Sequence, residues 1–367
     1  MTSVQRLQRD ELSDLGTFAT IAAEWDELVR HALTPTPYAL HDYLAAWAAA
    51  DGGGLAVVCV REGGRLVGGA AITTRRIGPF RIATFAGAPR VTPKDLLIHR
   101  DAPSETAALV VAGIRKQRFD WFSAYGLQLD GALVGAAGGD LRLVRRGTRH
   151  LLDLSAGFDA TCRTAMGSKN VAESRRKLRR LEDDGAELVR CCDPVEVAAG
   201  MDALFAAHAL RWQNGGDHSV LSTAHGRETV RDAMLGAARA GTARVHVLRK
   251  GEQTIAVSTN LLIGGTLFGY RNAFDPAYAR SSPGMLVTLA ALRDAIDEGA
   301  RSLDLGDGGG DWKVRFSDEG TGLYEGIGLS TRPHGAVGAS LHCVVRKTVD
   351  RRRHRAAKRP SLGARTR

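Results

Sequence analysis

The chain has 367 residues, enough for two ordinary domains with a sizeable core. Its 44% hydrophobic and 25% charged content is that of a globular protein and excludes wholesale disorder. The formal charge of +10 sits almost entirely in residues 346–367, RKTVDRRRHRAAKRPSLGARTR, which carry +9, so the preceding chain is near neutral. The tail itself reads as a disordered, solubilising terminus, or as a loose contact for anionic lipid or nucleic acid. The opening MTSVQRLQRDELSDLG has no apolar h-region, and no apolar run approaches the roughly 18 residues of a membrane helix. Cys59, Cys162, Cys191, Cys192 and Cys343 show no C-x-x-C spacing. They read as reduced thiols of a cytoplasmic protein, and no metal site is expected.

In chain order, the first clear element is a β-hairpin, Ala56 to Thr74, in which two apolar runs flank a charged glycine turn. A helix over Ser104 to Gln117 and a strand in FDWFSAYGL follow. SKNVAESRRKLRRLEDD, from Ser168 to Asp184, is a basic helix closed by Gly185. Helices over Pro194 to Trp212 and Thr223 to Ala240 come next. Arg244 to Leu262 repeats the hairpin plan: with Arg61 set on Arg249, Gly63 falls on Gly251 and Val67 on Ile255. The offset of about half the chain predicts two copies of one domain. TLFGYRNAFD is a strand, PAYARSSP a loop, Gly284 to Glu298 an amphipathic helix and ARSLDL a strand, a βαβ order. The expected fold is α/β, with mixed, mostly antiparallel sheets flanked by helices.

The stretch LDLGDGGGDWKVRF, Leu303 to Phe316, concentrates glycine and aspartate after that last strand. It is not a P-loop, because Lys313 is not preceded by the required glycine or followed by Ser/Thr. It is not a dinucleotide fingerprint, since Asp311 stands where the third glycine belongs. The oxygen spacing fails for an EF-hand, and a calcium β-roll needs repeats that are absent.

Taken with YRNAFDPAYARSSPG (Tyr270 to Gly284) and RRKLRRLEDDG, this stretch resembles the CelD/BcsL-type acetyltransferases, tandem GNAT-like proteins of exopolysaccharide and cellulose loci. The matching positions are Asp275-Pro276, Tyr278, Ser282-Pro283-Gly284, Asp304, Gly306, Gly308, Lys313 and Phe316, with Trp312 where Tyr is usual. More distantly the chain is similar to Fem-type peptidoglycan aminoacyl transferases. The resemblance implies tandem GNAT-like domains at 1–165 and 191–335, joined by a basic linker helix and strand at 166–190. It also implies an acyl-CoA donor, acetyl-CoA in the simplest case, and an amine or hydroxyl acceptor on a small molecule or glycan precursor. A GNAT-type donor lies against a splayed strand, with its pyrophosphate at the next helix N-terminus. Asn272, Arg280, Ser281, Ser282, Gly284 and Met285 would hold it. The usual phosphate-loop glycines are missing, because Pro283 and Met285 stand in their places. That departure leaves a charged tRNA donor, or a non-catalytic binding role, as alternatives.

Of the catalytic candidates, Lys313 is either a cation beside the reacting carbonyl or a solvated side chain. Asp304 is a base at a strand end or a turn cap, as is Asp307. Tyr270 faces the same region if its strand is placed as expected, and otherwise packs on the sheet. The Arg175 to Arg180 cluster reads as a solvated linker face or as a rim for an anionic ligand. His208, Arg211, Trp212 and His218 read as structural.

Overall fold

The computed structural model describes residues 7–52, 54–89, 91–211, 219–308, 311–317, 320–329 and 338. The basic tail, Cys343, Trp212 and His218 lie outside them.

The first half runs β1 (Leu7–Leu12), α1 (Leu15–Ala19), α2 (Ala22–His31), α3 (His41–Asp51), β2 (Gly54–Glu62), β3 (Arg65–Ile77), β4 (Phe80–Phe85), β5 (Leu97–Ile98), α4 (Thr106–Lys116), β6 (Trp121–Leu127), α5 (Ala132–Ala137) and β7 (Leu141–Asp153). Two helices, α6 (Phe158–Met166) and α7 (Ser168–Asp183), lead to the second. That half runs β8 (Ala186–Cys191), α8 (Pro194–Arg211), α9 (Ala224–Arg239), β9 (Ala243–Lys250), β10 (Gln253–Ile263), β11 (Thr266–Phe274), α10 (Pro283–Asp297), β12 (Ser302–Asp307), α11 (Asp311–Phe316) and β13 (Thr321–Gly328).

Both expected hairpins form. Glu62 pairs with Arg65 across a two-residue Gly63–Gly64 turn, with φ of 55° and 86°. Lys250 pairs with Gln253 across a turn that begins at Gly251, φ 55°. Tight hairpin turns need such positive φ, which glycine adopts without a Cβ clash. The halves then repeat one order. Four antiparallel strands are followed by a helix and a strand parallel to the fourth, β4 with β6 and β11 with β12.

The last strand of each half is exchanged. The sheet order is β1-β2-β3-β4-β6-β13-β7-β12-β11-β10-β9-β8. Thus β13 lies beside β6, and β7 lies beside β12. Buried ion pairs fasten the exchange: Arg149 on β7 to Asp304 on β12, and Arg146 on β7 to Glu325 on β13.

A single large apolar cluster takes side chains from both halves, including Trp25, Tyr43 and Trp47 of the first and Met201, Val230 and Phe268 of the second. Within it α3 packs on α9 closely enough that a Cβ at Gly236 would stand 2.4 Å from Asp42 Cβ. Arg239, on α9, pairs with Asp42 across the same seam at 2.7 Å. No described helix is long and apolar enough to cross a membrane.

Candidate functional site

The site begins where two parallel strands part. β11 and β12 pair at Thr266–Ser302, Leu267–Leu303 and Phe268–Asp304, and then diverge. On its other edge β11 carries a bulge: Thr259 pairs with Arg271 and Asn260 with Gly269, so Tyr270 is the extra residue. A bulge bends its strand and re-aims the side chain. The Thr259 hydroxyl secures it, donating to Arg271 O at 3.0 Å and accepting from Arg271 N at 3.1 Å.

Tyr270 is thereby turned toward two tyrosines of the first half. Its ring centroid lies 6.1 Å from Tyr38 and 6.2 Å from Tyr43, and the Arg271 guanidinium sits 5.2 Å from its centre. Burial raises the pKa of all three phenols, those of Tyr38 and Tyr43 well above the ordinary value. They are therefore hydrogen-bond donors at neutral pH. Tyr43 Oη, Tyr270 Oη and Arg271 Nε are buried and complete no hydrogen bond among the described residues. They lie near enough for weak, poorly aligned hydrogen bonding to one another, which raises the Tyr43 pKa and opposes the rise at Tyr270. Unpartnered buried donors are costly, so a cluster of them marks a place prepared for an acceptor atom.

The glycine stretch forms the floor beside them. Asp304 is 1% exposed. One carboxylate oxygen accepts from Arg149 Nε at 2.8 Å, and the other from the Gly306 N–H at 2.7 Å. Arg149 also donates to Gln128 Oε1 at 2.8 Å. Burial raises the Asp304 pKa, opposed by Arg149, the Gly306 N–H and Lys313. Asp307 accepts from the Tyr125 hydroxyl. Gly306, at φ 68°, and Gly308, at φ 123°, bend the chain so that Lys313, on α11, can reach back over it. The Lys313 ammonium donates to Leu305 O at 2.7 Å and Asp307 O at 3.0 Å. Burial lowers its pKa, opposed by Asp307 and Asp304. Asp304 and Lys313 are thus brought to one place, each with its polar atoms engaged by the chain.

The expected donor-binding residues gather at the start of α10. The Asn272 amide is committed to structure: it accepts from Ser258 Oγ at 2.9 Å and donates to Thr288 Oγ1 at 3.0 Å, tying β11 to α10. Arg280 and Ser281 close the turn Pro276–Ser281, with Arg280 exposed. Ser282 is left-handed at φ 53°, and its Oγ accepts from Lys177 Nζ, on α7, at 3.1 Å. Pro283 has no N–H, and Met285 N donates to Ser282 O at 2.9 Å. Among the described residues nothing accepts from the Gly284 N–H, which with Arg280 and Lys177 forms the positive end of the helix. Met285 is partly buried and packs against the apolar cluster that includes Leu303 and Leu305.

The rest of the basic helix is divided. Arg175 pairs with Asp159 and Arg176 with Glu173, both on the surface. A cleft of about 1080 Å³ beside α7 is lined by Arg163, Arg175, Arg179 and Arg293, with Asp159 and Asp297.

Residues 168–314 match the family model described as an acetyltransferase (GNAT) domain. The GNAT match opens on the basic helix α7 and closes within α11, so it contains every catalytic and donor-side residue expected from the sequence. No curated protein matches the chain. Among solved structures, FemX has a TM-score of 0.61 at 10% identity, over 86% of this chain and 96% of that one. The C-terminal domain of a putative lysylphosphatidylglycerol synthetase from Agrobacterium fabrum has 0.55 at 16%, over 89% and 97%. A protein of unknown function from Bacteroides thetaiotaomicron has 0.54 at 12%, over 88% and 100%. At these identities the likeness is one of fold alone, an α/β architecture that extends across both halves.

Tyr38, Tyr43, Arg149 and Arg271 are candidate-site residues that sequence reasoning missed, whereas Lys177 belongs to the basic cluster read as a rim for an anionic ligand. Arg271 is adjacent to a named candidate, Tyr270. The other three come from remote parts of the chain and carry no local signal.

Proposed function

We propose that this chain is a GNAT-type acyltransferase that moves an acyl group, acetyl in the simplest case, from a CoA thioester to an amine or hydroxyl. The acceptor is a small molecule or a cell-envelope or exopolysaccharide precursor, as for a cytoplasmic enzyme of CelD/BcsL type. In this reading the first half, 1–165, supplies acceptor-side surface and the second, 191–335, the donor site. The observation that supports it most directly is the trio of buried, unpartnered donors, Tyr43 Oη, Tyr270 Oη and Arg271 Nε, where β11 and β12 diverge. Acyl transfer passes through a tetrahedral intermediate whose carbonyl oxygen becomes an oxyanion. Fixed donors in a water-poor site stabilise that charge more than the neutral carbonyl.

The acceptor nitrogen or oxygen attacks the thioester carbon and the carbonyl π pair moves onto oxygen. Its return breaks the C–S bond, and the proton lost by the acceptor ends on the CoA thiol. Among the described residues no activated nucleophile lies beside the trio, so the reading is direct attack within a ternary complex. Asp304 and Lys313 act as positioning residues, Asp304 by holding Arg149 and Lys313 by fixing the carbonyls of the glycine loop. Tyr270→Phe tests this reading. Removing one oxyanion donor lowers kcat by about 100- to 1000-fold. The melting temperature holds or rises, because the hydroxyl lost was unsatisfied. Wild-type turnover in this variant would overturn the assignment.

The start of α10 favours a second reading, aminoacyl transfer from charged tRNA. It offers the Gly284 N–H alone of its first three positions, a weak cradle for a pyrophosphate. Mass spectrometry after incubation with an acyl-CoA panel, and with charged tRNA, separates the two. Protection of residues 168–314 from proteolysis by CoA supports the first, and by charged tRNA the second.

A further inference from the structure

Lys94 lies in the connection between β4 and β5 and is 8% exposed. Its ammonium forms no hydrogen bond or salt bridge among the described residues. Asp51, beyond salt-bridge distance, is the charged group acting on it. The neighbouring carboxylate gives no relief, because Asp95 spends both oxygens on the N–H groups of Leu96, Ala132 and Leu133. An uncompensated buried ammonium is expensive, and a lysine with only a packing role would be replaced at a gain in stability.

The lysine opens on a cavity of about 40 Å³ that Thr36, Tyr38, Phe85 and Pro93 also line. Thr36 Oγ1 is buried there without a partner. Trp25 and Asp95 also line the wall, but Trp25 Nε1 is already bonded to Ala39 O at 2.8 Å and the Asp95 oxygens are taken up by the backbone N–H groups of Leu96, Ala132 and Leu133. Two unpaired donors, one charged, therefore address a small space with room for more than one water. Two donors facing one small space match the two oxygens of a planar carboxylate. Tyr38 is a shared wall: its ring also packs against Tyr270, at 6.1 Å, and Phe268, at 5.7 Å. The cavity thus adjoins the proposed transfer site from the first-half side.

We infer that Lys94 and Thr36 form a carboxylate-binding subsite, and that the acyl acceptor carries a free carboxylate which docks there. The carboxylate subsite stands on its own geometry, and its use by the acceptor rests on the acyltransferase reading. Burial lowers the Lys94 pKa to about 8, so the side chain is mainly charged at neutral pH. A bound carboxylate supplies the counter-charge that the fold withholds.

The test uses the full chain with acetate and inorganic phosphate as probes, at matched ionic strength, read by thermal shift and calorimetry. Acetate raises the melting temperature and phosphate does not. Lys94→Met abolishes the acetate shift while raising the ligand-free melting temperature, and Thr36→Val weakens acetate binding about threefold, the worth of one hydrogen bond. An acetate shift that survives in both variants, or a Lys94→Met protein that melts lower, overturns the subsite. So does acylation of Lys94 itself on incubation with acyl-CoA, since that makes it a nucleophile. A second arm compares an amino acid with its decarboxylated amine as acceptor. Acetate binding with no transfer to either acceptor sinks the acyltransferase reading and leaves the subsite in place. Transfer that ignores the carboxylate sinks its use by the acceptor.

Discussion

Arg149→Met removes the partner of a carboxylate that is 1% exposed, and leaves Asp304 with a single hydrogen bond from the Gly306 N–H. Breaking one side of a buried ion pair costs about 3–5 kcal/mol, because the remaining charge is stranded. The loss falls on the exchanged strand β7 where it meets β12. The assay is equilibrium urea unfolding of wild type, Arg149→Met, Asp304→Leu and the double variant, compared by midpoint at constant slope. Each single variant should lose several kcal/mol, and the double variant should return to within about 1 kcal/mol of wild type, as buried pairs replaced by apolar residues often do. The pH dependence has a definite sign. Burial already raises the Asp304 pKa, and loss of Arg149 raises it further. Between the ordinary carboxylate range and that raised value the folded state binds more protons than the unfolded state. Arg149→Met therefore recovers stability, relative to wild type, as pH falls through this window. A single variant costing under about 1 kcal/mol, or a deficit that grows on acidification, would refute the buried-pair account.

Lys313→Met strands the carbonyls of Leu305 and Asp307, and should cost about 1–3 kcal/mol in urea unfolding together with a fall in transfer. Loss of transfer with no loss of stability would mean that the lysine contacts substrate and not only the loop. Gly236→Val places a Cβ 2.4 Å from Asp42 Cβ and pushes α3 from α9, lowering stability by about 1–3 kcal/mol. An unchanged melting temperature would show that this helix seam is not close-packed. Lys94 predicts a rise of stability with pH. Its pKa falls to about 8 from the ordinary 10.5, so between those values the unfolded chain binds more protons, and stability increases by up to about 3 kcal/mol. Asp51 faces it, itself under the influence of Arg75 and His225. Subtracting the pH profile of Lys94→Met isolates the lysine, and a flat difference between about pH 8 and 10 would refute the shift.

Local chemistry was legible in the sequence because it needs only neighbours. The turns at Gly63 and Gly251, the closure of α7 at Gly185, the start of α10 at Pro283 and the strand entering the glycine stretch all follow from rules a few residues long. The repeat between the hairpins was visible for the same reason, each copy needing its own turn glycines and alternating strands. Tertiary structure decided what those elements do to one another. Nothing local announces that β7 and β13 change places, since a strand's sequence records which face is buried and not which edge it joins. That exchange sends Arg149 across to Asp304 and turns an expected base into the anchor of an ion pair. It also takes the third dimension to bring Tyr38 and Tyr43 against Tyr270, and to leave Lys94 charged in a cavity on the far side of Tyr38. Side-chain identity is local, whereas desolvation and the want of a partner depend on residues hundreds of positions away.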